Sequence, residues 1–562
     1  MRREVSVVNK KVCSFPILFA LLALLIGTCA VVFPASAQAA PTSTGSITVS
    51  GTVASSYDAY QIFSANVIDG DNDAKIATDL AWTSDAVRDA ALPVLHSAGM
   101  SKSQTTAQEA AEWLNNDSHL TSALSAQLAR SLQSSVAVSE ALKAGTTAEL
   151  PCGYWLIVAD DDAISQGEAG TAPIMALVGG SAVTVKPKAA TPKVDKHVLE
   201  DSTAAWQKAA DATVGDDLYW RLSATVPAGL TAYDTYAVQF VDTMSAGLDP
   251  SRVAASVRVY VAAGADGGFD AVSAGKDGRA GTDPAKGWTD ITAQCATKVA
   301  ADGTFTVRTG DLIAALGGAD AFTAGARVVA VYNAPLNSAC NHGIAKGNPN
   351  QVYLRYPRSP LVDQSGDAGF TRTPSDDACA YTWDLALTKR GSDGDKPLAG
   401  AVLSIADDRG RTLAADGTWD AEGKATVTTG EDGRVTVSGV DSGKLEVREL
   451  KAPKGYTAFE GTRSVTVKAE GLDVDQVAAA KPKLTITAES PLRADSADGS
   501  TGSLEASIIN TPTGTPPSIT TGGFMPSTGD MAMYAAAAAA VAGAALIVVA
   551  LLVKRGGGSH KE

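Results

Sequence analysis

Three polar residues in the C-terminal third of the chain occupy strand positions that otherwise carry core side chains. Lys389 alternates with Leu385 and Leu387, and side chains two residues apart on a strand share one face. Glu449 in LEVRE and Asn510 in ASIIN continue apolar phases in the same way. Because an isolated buried charge is costly, a lysine, an acid and a carboxamide on inward faces predict one shared site.

The same three residue types recur in the middle of the chain. Lys196 lies in VDKHV, Asp242 continues the apolar phase of AVQFVD, and Asn350 continues that of NPNQVYL. Asn348, two residues earlier, is an alternative carboxamide. For any one of these residues a strand end facing solvent is the simpler interpretation, but the recurrence of the set favours two buried sites.

The segments around these residues resemble two kinds of cross-linked domain. LTK, PLAGA, RELKAPKGY and IIN resemble the Cna-B-type domain, while VGD, YDTY, VDTMSAGL and GNPNQVYLRY resemble the isopeptide-forming second domain of fimbrial shaft proteins. The set that resembles the fimbrial shaft domain departs from the usual pattern at its end, YPRSP, where Arg358 replaces an expected asparagine. The resemblance implies two intramolecular isopeptide bonds, each with an assisting acid: Lys196–Asn350 with Asp242, and Lys389–Asn510 with Glu449.

The implied chemistry agrees with the physical properties of these residues. Burial lowers the pKa of a lysine and so yields a neutral amine nucleophile, and it raises the pKa of a carboxylic acid. The acid polarises the carboxamide and carries a proton while ammonia leaves. This is single-turnover self-modification without a metal or cofactor, so we do not predict an enzyme. Closing loops of roughly 120–155 residues would contribute roughly 4–5 kcal/mol, by analogy with disulfides.

The C-terminus has a three-part arrangement. The pentapeptide MPSTG (525–529) precedes an uncharged apolar segment (531–553) and a short basic tail (554–562). This order resembles the cell-wall sorting signal of Gram-positive surface proteins, with methionine in place of the usual leucine. The resemblance implies a transmembrane segment, a cytoplasmic tail, and cleavage by a sortase between Thr528 and Gly529. A simple tail anchor is the alternative for the apolar segment alone.

The N-terminus has the composition of an export signal. Four basic residues lie among the first eleven positions. An apolar run then covers 17–33, and small residues in ASAQAA follow it. We predict a signal peptide over residues 1–39. The protein is therefore expected outside the cell. The resemblance of the C-terminus to a sorting signal implies that it is first held in the membrane and then anchored to the wall of a Gram-positive bacterium.

One lysine between the first two domains is a candidate acceptor for the sortase product. The segment VTVKPKAATPK resembles the YPK motif of shaft pilins, with Lys188 as the motif lysine and Lys186 in place of the tyrosine. The resemblance implies that Thr528 of one subunit is joined to Lys188 of the next. The alternative is that Lys188 is one of several solvated linker lysines, together with Lys186 and Lys193.

Short alternating segments, turns and abundant Gly, Ser, Thr and Val predict a mainly β protein. We expect tandem immunoglobulin-like or Cna-type β-sandwich domains in an elongated array, the first with a helical insertion. The predicted segments are a signal peptide (1–39), an N-terminal pilin domain (41–187), an isopeptide-forming middle domain (193–370), a Cna-B-type domain (379–512), a Thr/Pro/Gly stalk (513–524), the sorting motif, the membrane segment and the tail.

Taken together, these features resemble a sortase-assembled backbone pilin. The expected partners are sortases, identical subunits in a head-to-tail fibre, peptidoglycan and accessory pilins, with any host ligand unidentified. The net charge of −15 argues against a nucleic-acid partner. A wall-anchored accessory pilin or adhesin that does not polymerise is the main alternative. A surface enzyme is disfavoured, because no serine–histidine, paired-carboxylate or metal-binding pattern stands out.

Four cysteines follow the predicted signal peptide: Cys152, Cys295, Cys340 and Cys379. An even number in an oxidising compartment predicts two disulfides with three possible connectivities. Cys295 and Cys340 lie in one predicted domain, which favours pairing these two.

Overall fold

The computed structural model of the chain describes residues 43–116, 118–170, 172–187, 191–228, 230–264 and 287–514. In this part the fold is mainly β and consists of three successive groups of sheets. The predicted fold class, tandem β-sandwiches with a helical insertion in the first domain, is confirmed. The signal peptide, sorting motif, membrane segment and tail lie outside the described residues, as does nearly all of the predicted stalk. Among the described residues, no helix is both long and apolar enough to cross a membrane.

The N-terminal group contains a three-stranded sheet, a five-stranded sheet and three helices. Its elements are β1 (Thr44–Val49), β2 (Ser56–Asp69), β3 (Lys75–Trp82), α1 (Asp85–Ser97), α2 (Ala107–Leu114), α3 (Ser122–Ser135), β4 (Glu140–Lys143), β5 (Thr147–Pro151), β6 (Gly153–Ala159), β7 (Ile174–Val178) and β8 (Val183–Val185). The smaller sheet has the order β5-β1-β8. The larger has the order β3-β2-β6-β7, with β4 also paired to β2.

The three helices form the insertion predicted between strands. Each begins after a hydroxyl residue, Ser84, Thr106 or Thr121, whose side chain accepts a backbone N–H of the first turn. Their alanine and leucine faces pack on the larger sheet, around Phe63 and Leu156. The insertion therefore covers one face of that sheet, while the other face packs on the smaller sheet.

The middle group is a sandwich of a six-stranded and a seven-stranded sheet. Its elements are β9 (Val194–Glu200), β10 (Ala205–Gln207), β11 (Ala209–Asp211), β12 (Tyr219–Thr225), β13 (Gln239–Met244), α4 (Val253–Ser256), β14 (Arg258–Ala262), β15 (Trp288–Asp290), β16 (Ala296–Val299), β17 (Thr304–Arg308), α5 (Leu312–Ala315), β18 (Arg327–Asn333), β19 (Asn348–Pro357), β20 (Phe370–Arg372) and β21 (Asp376–Tyr381). One sheet has the order β10-β9-β12-β18-β14-β15. The other has the order β11-β21-β19-β13-β17-β16, with β20 also paired to β19.

The third group is a second sandwich, of five and seven strands. Its strands are β22 (Trp383–Gly391), β23 (Val402–Ala406), β24 (Thr412–Leu413), β25 (Trp419–Asp420), β26 (Val427–Thr428), β27 (Arg434–Val440), β28 (Gly443–Lys451), β29 (Tyr456–Thr457), β30 (Thr462–Glu470), β31 (Lys483–Ala488), β32 (Leu492–Asp498) and β33 (Ser503–Pro512). One sheet contains β27-β22-β33-β29 with β32 on β33. The other contains β25-β24-β23-β28-β30-β31 with β26 on β23.

The middle and third groups are directly connected. Strand β21 pairs with β19 and β11 of the middle group, and β22 of the third group begins two residues after it ends. The predicted start of the third domain at residue 379 therefore lies inside β21. Asp211 on β11 joins the two groups, since its carboxylate accepts a hydrogen bond of 2.6 Å from the indole of Trp383 and one of 3.0 Å from the Ser442 amide.

The predicted Cys295–Cys340 disulfide is not present, and the four cysteines within the described residues are free. Cys295 directly precedes β16, whose first residue lies opposite Arg308, and Arg308 lies opposite Gln239 at the start of β13. The backbone of Cys340 instead adjoins Gly247, beyond the other end of β13. The length of that six-residue strand, about 17 Å, separates the two cysteines. A disulfide needs Cα atoms within about 7 Å of each other.

Candidate functional site

The middle sandwich brings the predicted lysine, acid and asparagine together across its two sheets. Lys196 on β9 belongs to one sheet, and Asp242 on β13 and Asn350 on β19 belong to the other. Asp242 lies opposite Val352 in the β13–β19 pair, so Asn350 is its diagonal neighbour on the same face. All three polar side chains are fully buried.

A fourth buried residue connects these three. The hydroxyl of Tyr332, on β18 of the lysine's sheet, accepts hydrogen bonds from Lys196 Nζ at 2.9 Å and from Asn350 Nδ2 at 2.8 Å. It donates to Asp242 Oδ2 at 3.0 Å, and Lys196 Nζ also pairs directly with that oxygen. Among the described residues, neither Asp242 Oδ1 nor Asn350 Oδ1 has a hydrogen-bond partner. The group is closely packed but incompletely satisfied, which is unusual for buried polar atoms.

The surroundings of Lys196 disfavour its charged form. Its Nζ lies 5.4 Å from the ring centres of both Trp220 and Tyr332, and these contacts favour a cation and so oppose the effect of burial. Burial lowers the pKa of Lys196 from 10.5 to about 8, although the charge of Asp242 opposes that shift. Burial likewise raises the pKa of Asp242. Both shifts reduce the charge that the domain must hold in its core.

The third sandwich assembles its site from a different strand arrangement. Lys389 on β22 lies opposite Ile508 of the parallel strand β33, and Asn510 lies opposite Gly391, so the lysine and asparagine are neighbours in one sheet. Glu449 reaches them from β28 of the opposite sheet. The side chains of Lys389 and Glu449 are fully buried, and Asn510 is almost so.

The contacts in this third-domain site are direct. Lys389 Nζ donates to Asn510 Oδ1, and Asn510 Nδ2 donates to Glu449 Oε1 at 2.8 Å. The same Glu449 oxygen lies 3.3 Å from Lys389 Nζ. The other oxygen accepts the backbone N–H of Phe459 at 3.0 Å, which orients the carboxylate. One carboxylate oxygen thus contacts both nitrogens.

Burial dominates the electrostatics of the third site as well. It lowers the pKa of Lys389 from 10.5 to about 8, against the opposing charge of Glu449, and the Phe459 ring centre lies 5.7 Å from Nζ. The lysine backbone is positioned by a turn before β27, since Lys389 N donates to Gly433 O at 2.8 Å. Gly433 has φ of +71°, and a Cβ there would lie 2.8 Å from the Lys389 carbonyl oxygen, so this position requires glycine.

The structure distinguishes the two candidate asparagines of the middle domain. Asn348 is fully buried but its carboxamide is occupied by the backbone: Nδ2 donates to Asn341 O at 2.8 Å and to Ala380 O at 3.2 Å, and Oδ1 accepts from Asn341 N at 2.8 Å. Asn350, and not Asn348, contacts the group around Lys196. Arg358 lies away from the site and donates to Asp161 O of the N-terminal group at 3.1 Å.

Three further residues are predicted to take part in joining by a sortase. Lys188, Thr528 and Gly529 lie outside the described residues. Sequence reasoning missed Tyr332, although VVAVYN places it in phase with Val328 and Ala330 on an inward face. A hydroxyl-bearing side chain in phase with buried apolar residues was the available signal.

Comparison with known proteins gives a partial match in sequence. Residues 384–481, which include Lys389 and Glu449, match the family described as SpaA, prealbumin-like fold domain. The chain is 30% identical over 143 residues to the trypsin-resistant surface T6 protein of Streptococcus pyogenes serotype M6. That alignment covers 24% of this chain and 24% of the T6 protein, so the chain matches about a quarter of its relative's length.

Similar solved structures include two pilins. The T6 backbone pilin of serotype M6 Streptococcus pyogenes has 16% identity and a TM-score of 0.46, with 84% of this chain and 98% of that chain covered. The full-length major pilin SpaD of Corynebacterium diphtheriae has 17% identity and a TM-score of 0.38, with 66% and 83% covered.

Proposed function

We propose that this chain is the structural subunit of a covalent cell-surface pilus, with its middle and third domains each closed by an internal lysine–asparagine amide bond. The observation that carries the proposal is the pair of buried lysine, acid and asparagine groups in consecutive β-sandwiches. Two such groups in one chain are hard to explain as structural ion pairs, because removing two charges from water can cost as much free energy as their attraction returns.

The third-domain geometry supports bond formation directly. Lys389, with a pKa of about 8, has an appreciable neutral fraction near physiological pH, and its Nζ already touches the Asn510 carboxamide. Attack forms the Nζ–Cγ bond, and breaking the Cγ–Nδ2 bond releases ammonia. Glu449, in contact with both nitrogens, moves one proton from the amine to the leaving group. The products are one amide and one ammonia, with no external reactant.

The position of the bonds fits a protein under tension. Lys389 is on the first strand of its sandwich and Asn510 on the last. A covalent bond between these strands would carry a pulling force past the hydrogen-bonded sheet. One relative is named the trypsin-resistant surface T6 protein, and we expect cross-linked sandwiches in this chain to resist proteolysis as well.

The polymer would be made by a sortase. Cleavage after Thr528 and transfer of its carboxyl group to Lys188 of the next subunit would give a head-to-tail fibre, with its base on peptidoglycan. The T6 protein, to which this chain is similar, is a backbone pilin, and this similarity supports the role. An accessory pilin or adhesin, anchored to the wall without polymerising, is the alternative.

The intact mass of recombinant residues 41–524 tests the internal bonds. We expect a deficit of two ammonias in the parent protein and of one in each of Lys196→Ala and Lys389→Ala, after allowing for the substitution. An unmodified parent mass would contradict the proposal. Polymerisation is tested separately with protein that extends through the MPSTG motif (525–529), incubated with a pilus sortase. Lys188→Ala should abolish multimers, while Lys186→Ala and Lys193→Ala should retain them. Wall attachment without multimers would favour the accessory pilin.

A further inference from the structure

We propose that Tyr332 is a catalytic residue for formation of the Lys196–Asn350 bond, relaying a proton from the attacking lysine nitrogen to the departing carboxamide nitrogen. This inference rests on the bond proposed for the middle domain. It concerns a residue that has no counterpart among the three residue types of the sequence pattern.

The hydroxyl of Tyr332 lies between the two nitrogens that exchange places on the carbonyl carbon. A phenol has one donor and two acceptor positions, and here all three are used. Lys196 Nζ and Asn350 Nδ2 donate to it at 2.9 and 2.8 Å, and it donates to Asp242 Oδ2 at 3.0 Å. Among the described residues, it is the only group that contacts both nitrogens.

The comparison with the third domain explains why such a group is needed. There, Glu449 Oε1 contacts Lys389 Nζ at 3.3 Å and Asn510 Nδ2 at 2.8 Å, so the carboxylate alone connects the two nitrogens. Asp242 is one methylene shorter than a glutamate. Its contacts in the structure are with Lys196 and Tyr332, and Asn350 contacts the tyrosine instead. The tyrosine hydroxyl therefore bridges the distance that the shorter acid leaves.

The proton movements balance within this group. Neutral Lys196 attacks Asn350 Cγ, and the Nζ–Cγ bond forms. The nitrogen gives up one proton to Asp242 Oδ2, which it contacts directly. Asp242 passes a proton to the Tyr332 oxygen as the hydroxyl gives its own proton to Nδ2. The Cγ–Nδ2 bond breaks, ammonia leaves, and Asp242 and Tyr332 regain their starting protonation.

The electrostatics of the site suit a relay through a neutral phenol. Burial and the charge of Asp242 raise the pKa of Tyr332 well above 10, so a free phenolate is strongly disfavoured. Such a hydroxyl must gain one proton as it gives another. Its ring is held in place by an edge contact with Phe305, with ring centres 4.6 Å apart, which keeps the oxygen aligned.

Tyr332→Phe in the full-length chain tests the relay, with Tyr356→Phe as a matched control. Both tyrosines are fully buried in the middle sandwich, but the Tyr356 hydroxyl has no hydrogen-bond partner among the described residues. After proteolytic digestion, mass spectrometry follows the peptide that joins Lys196 to Asn350. We expect Tyr332→Phe to form it about 100-fold more slowly, the size of a typical acid–base contribution. Tyr356→Phe should match the parent.

Two further measurements separate chemistry from folding. Formation of the Lys389–Asn510 cross-linked peptide should be complete in every variant, because the substitutions lie in the middle domain. This peptide is an internal control measured on the same molecules. Adding Asp242→Glu to Tyr332→Phe should restore at least tenfold of the lost rate, since a longer acid can contact both nitrogens as Glu449 does. Tyr332→Phe that cross-links at the parent rate would overturn the relay alone. Absence of the Lys196–Asn350 peptide from the parent would overturn the proposed bond itself.

Discussion

The middle and third domains place the same three residue types in different strand arrangements. In the third domain the lysine and asparagine are on adjacent parallel strands and the acid comes from the opposite sheet. In the middle domain the acid and asparagine are on adjacent antiparallel strands and the lysine comes from the opposite sheet. What the two sites share is full burial of the lysine, and in both its pKa falls to about 8. The electrostatic environment, rather than one topology, is the common requirement.

The two sites also differ in how much of each domain would lie outside the proposed cross-link. Lys389 lies on the first strand of the third sandwich and Asn510 on the last. Asn350, in contrast, is followed by the rest of β19 and by β20 and β21 before the third domain begins. A bond from Lys196 to Asn350 therefore leaves the C-terminal strands of the middle domain held by hydrogen bonds and packing alone.

The largest expected effect of this difference is on how far each domain extends when the chain is pulled. In single-molecule pulling, the middle domain should extend by up to about 100 Å, the length of some 30 residues after Asn350, and then stop. The third domain should show almost no extension, because little chain lies outside its bond. Lys389→Ala is the control, and it should let the third domain unfold completely. Equal extension of the two parent domains would contradict the predicted difference.

A smaller effect is expected for the two asparagines of β19. Asn350→Ala should abolish the middle-domain bond and cost about 5 kcal/mol of unfolding free energy, the loop-closure contribution. Asn348→Ala should keep the bond and cost about 1–3 kcal/mol, because it removes only hydrogen bonds to the backbone. Denaturant unfolding together with intact mass measures both quantities. A variant at Asn348 that lacks the bond would reverse the assignment.

The smallest effect concerns pH and should be alike in the two domains. Asn350→Ala and Asn510→Ala keep the buried lysine unreacted, with a folded pKa of about 8 against 10.5 when exposed. Between these values the unfolded chain binds more protons, so stability rises with pH, by at most about 3 kcal/mol. In the parent, the proposed bonds convert both lysines to amides, which do not titrate in this range. The difference in unfolding free energy between the parent and each variant, measured by denaturant unfolding, should therefore narrow from pH 8 to 10.5. A constant difference would contradict the lowered pKa values.

Much of the fold followed from local patterns. Alternation of apolar residues predicted strands such as β22 and β33, and a segment rich in alanine, leucine, serine and glutamine at helical spacing predicted the helical insertion. The boundary between the last two domains was less predictable, because β21 carries residues of both cores: Ala378 and Ala380 pack in the middle domain, while Cys379 and Tyr381 pack in the third. Alternation shows that a strand has two faces but not which domain each face contacts.

The cysteines show a different limit. Cys295 and Cys340 belong to one domain, as expected, but β13 lies between them. Sequence proximity and domain membership carry no information about which end of a strand a loop adjoins. That depends on the strand order in the seven-stranded sheet, which arises from long-range pairing.

The sequence by itself determined the residue types and the strand phase of Lys196, Asp242, Asn350 and their third-domain equivalents, because side-chain direction on a strand alternates with a period of two. Only the tertiary structure decided which sheets face each other. That packing directs Asn348 to backbone partners and Asn350 to the lysine's group, and it places the Tyr332 hydroxyl between the two nitrogens. Contacts across a sandwich depend on how two sheets pack, and no local pattern records that arrangement.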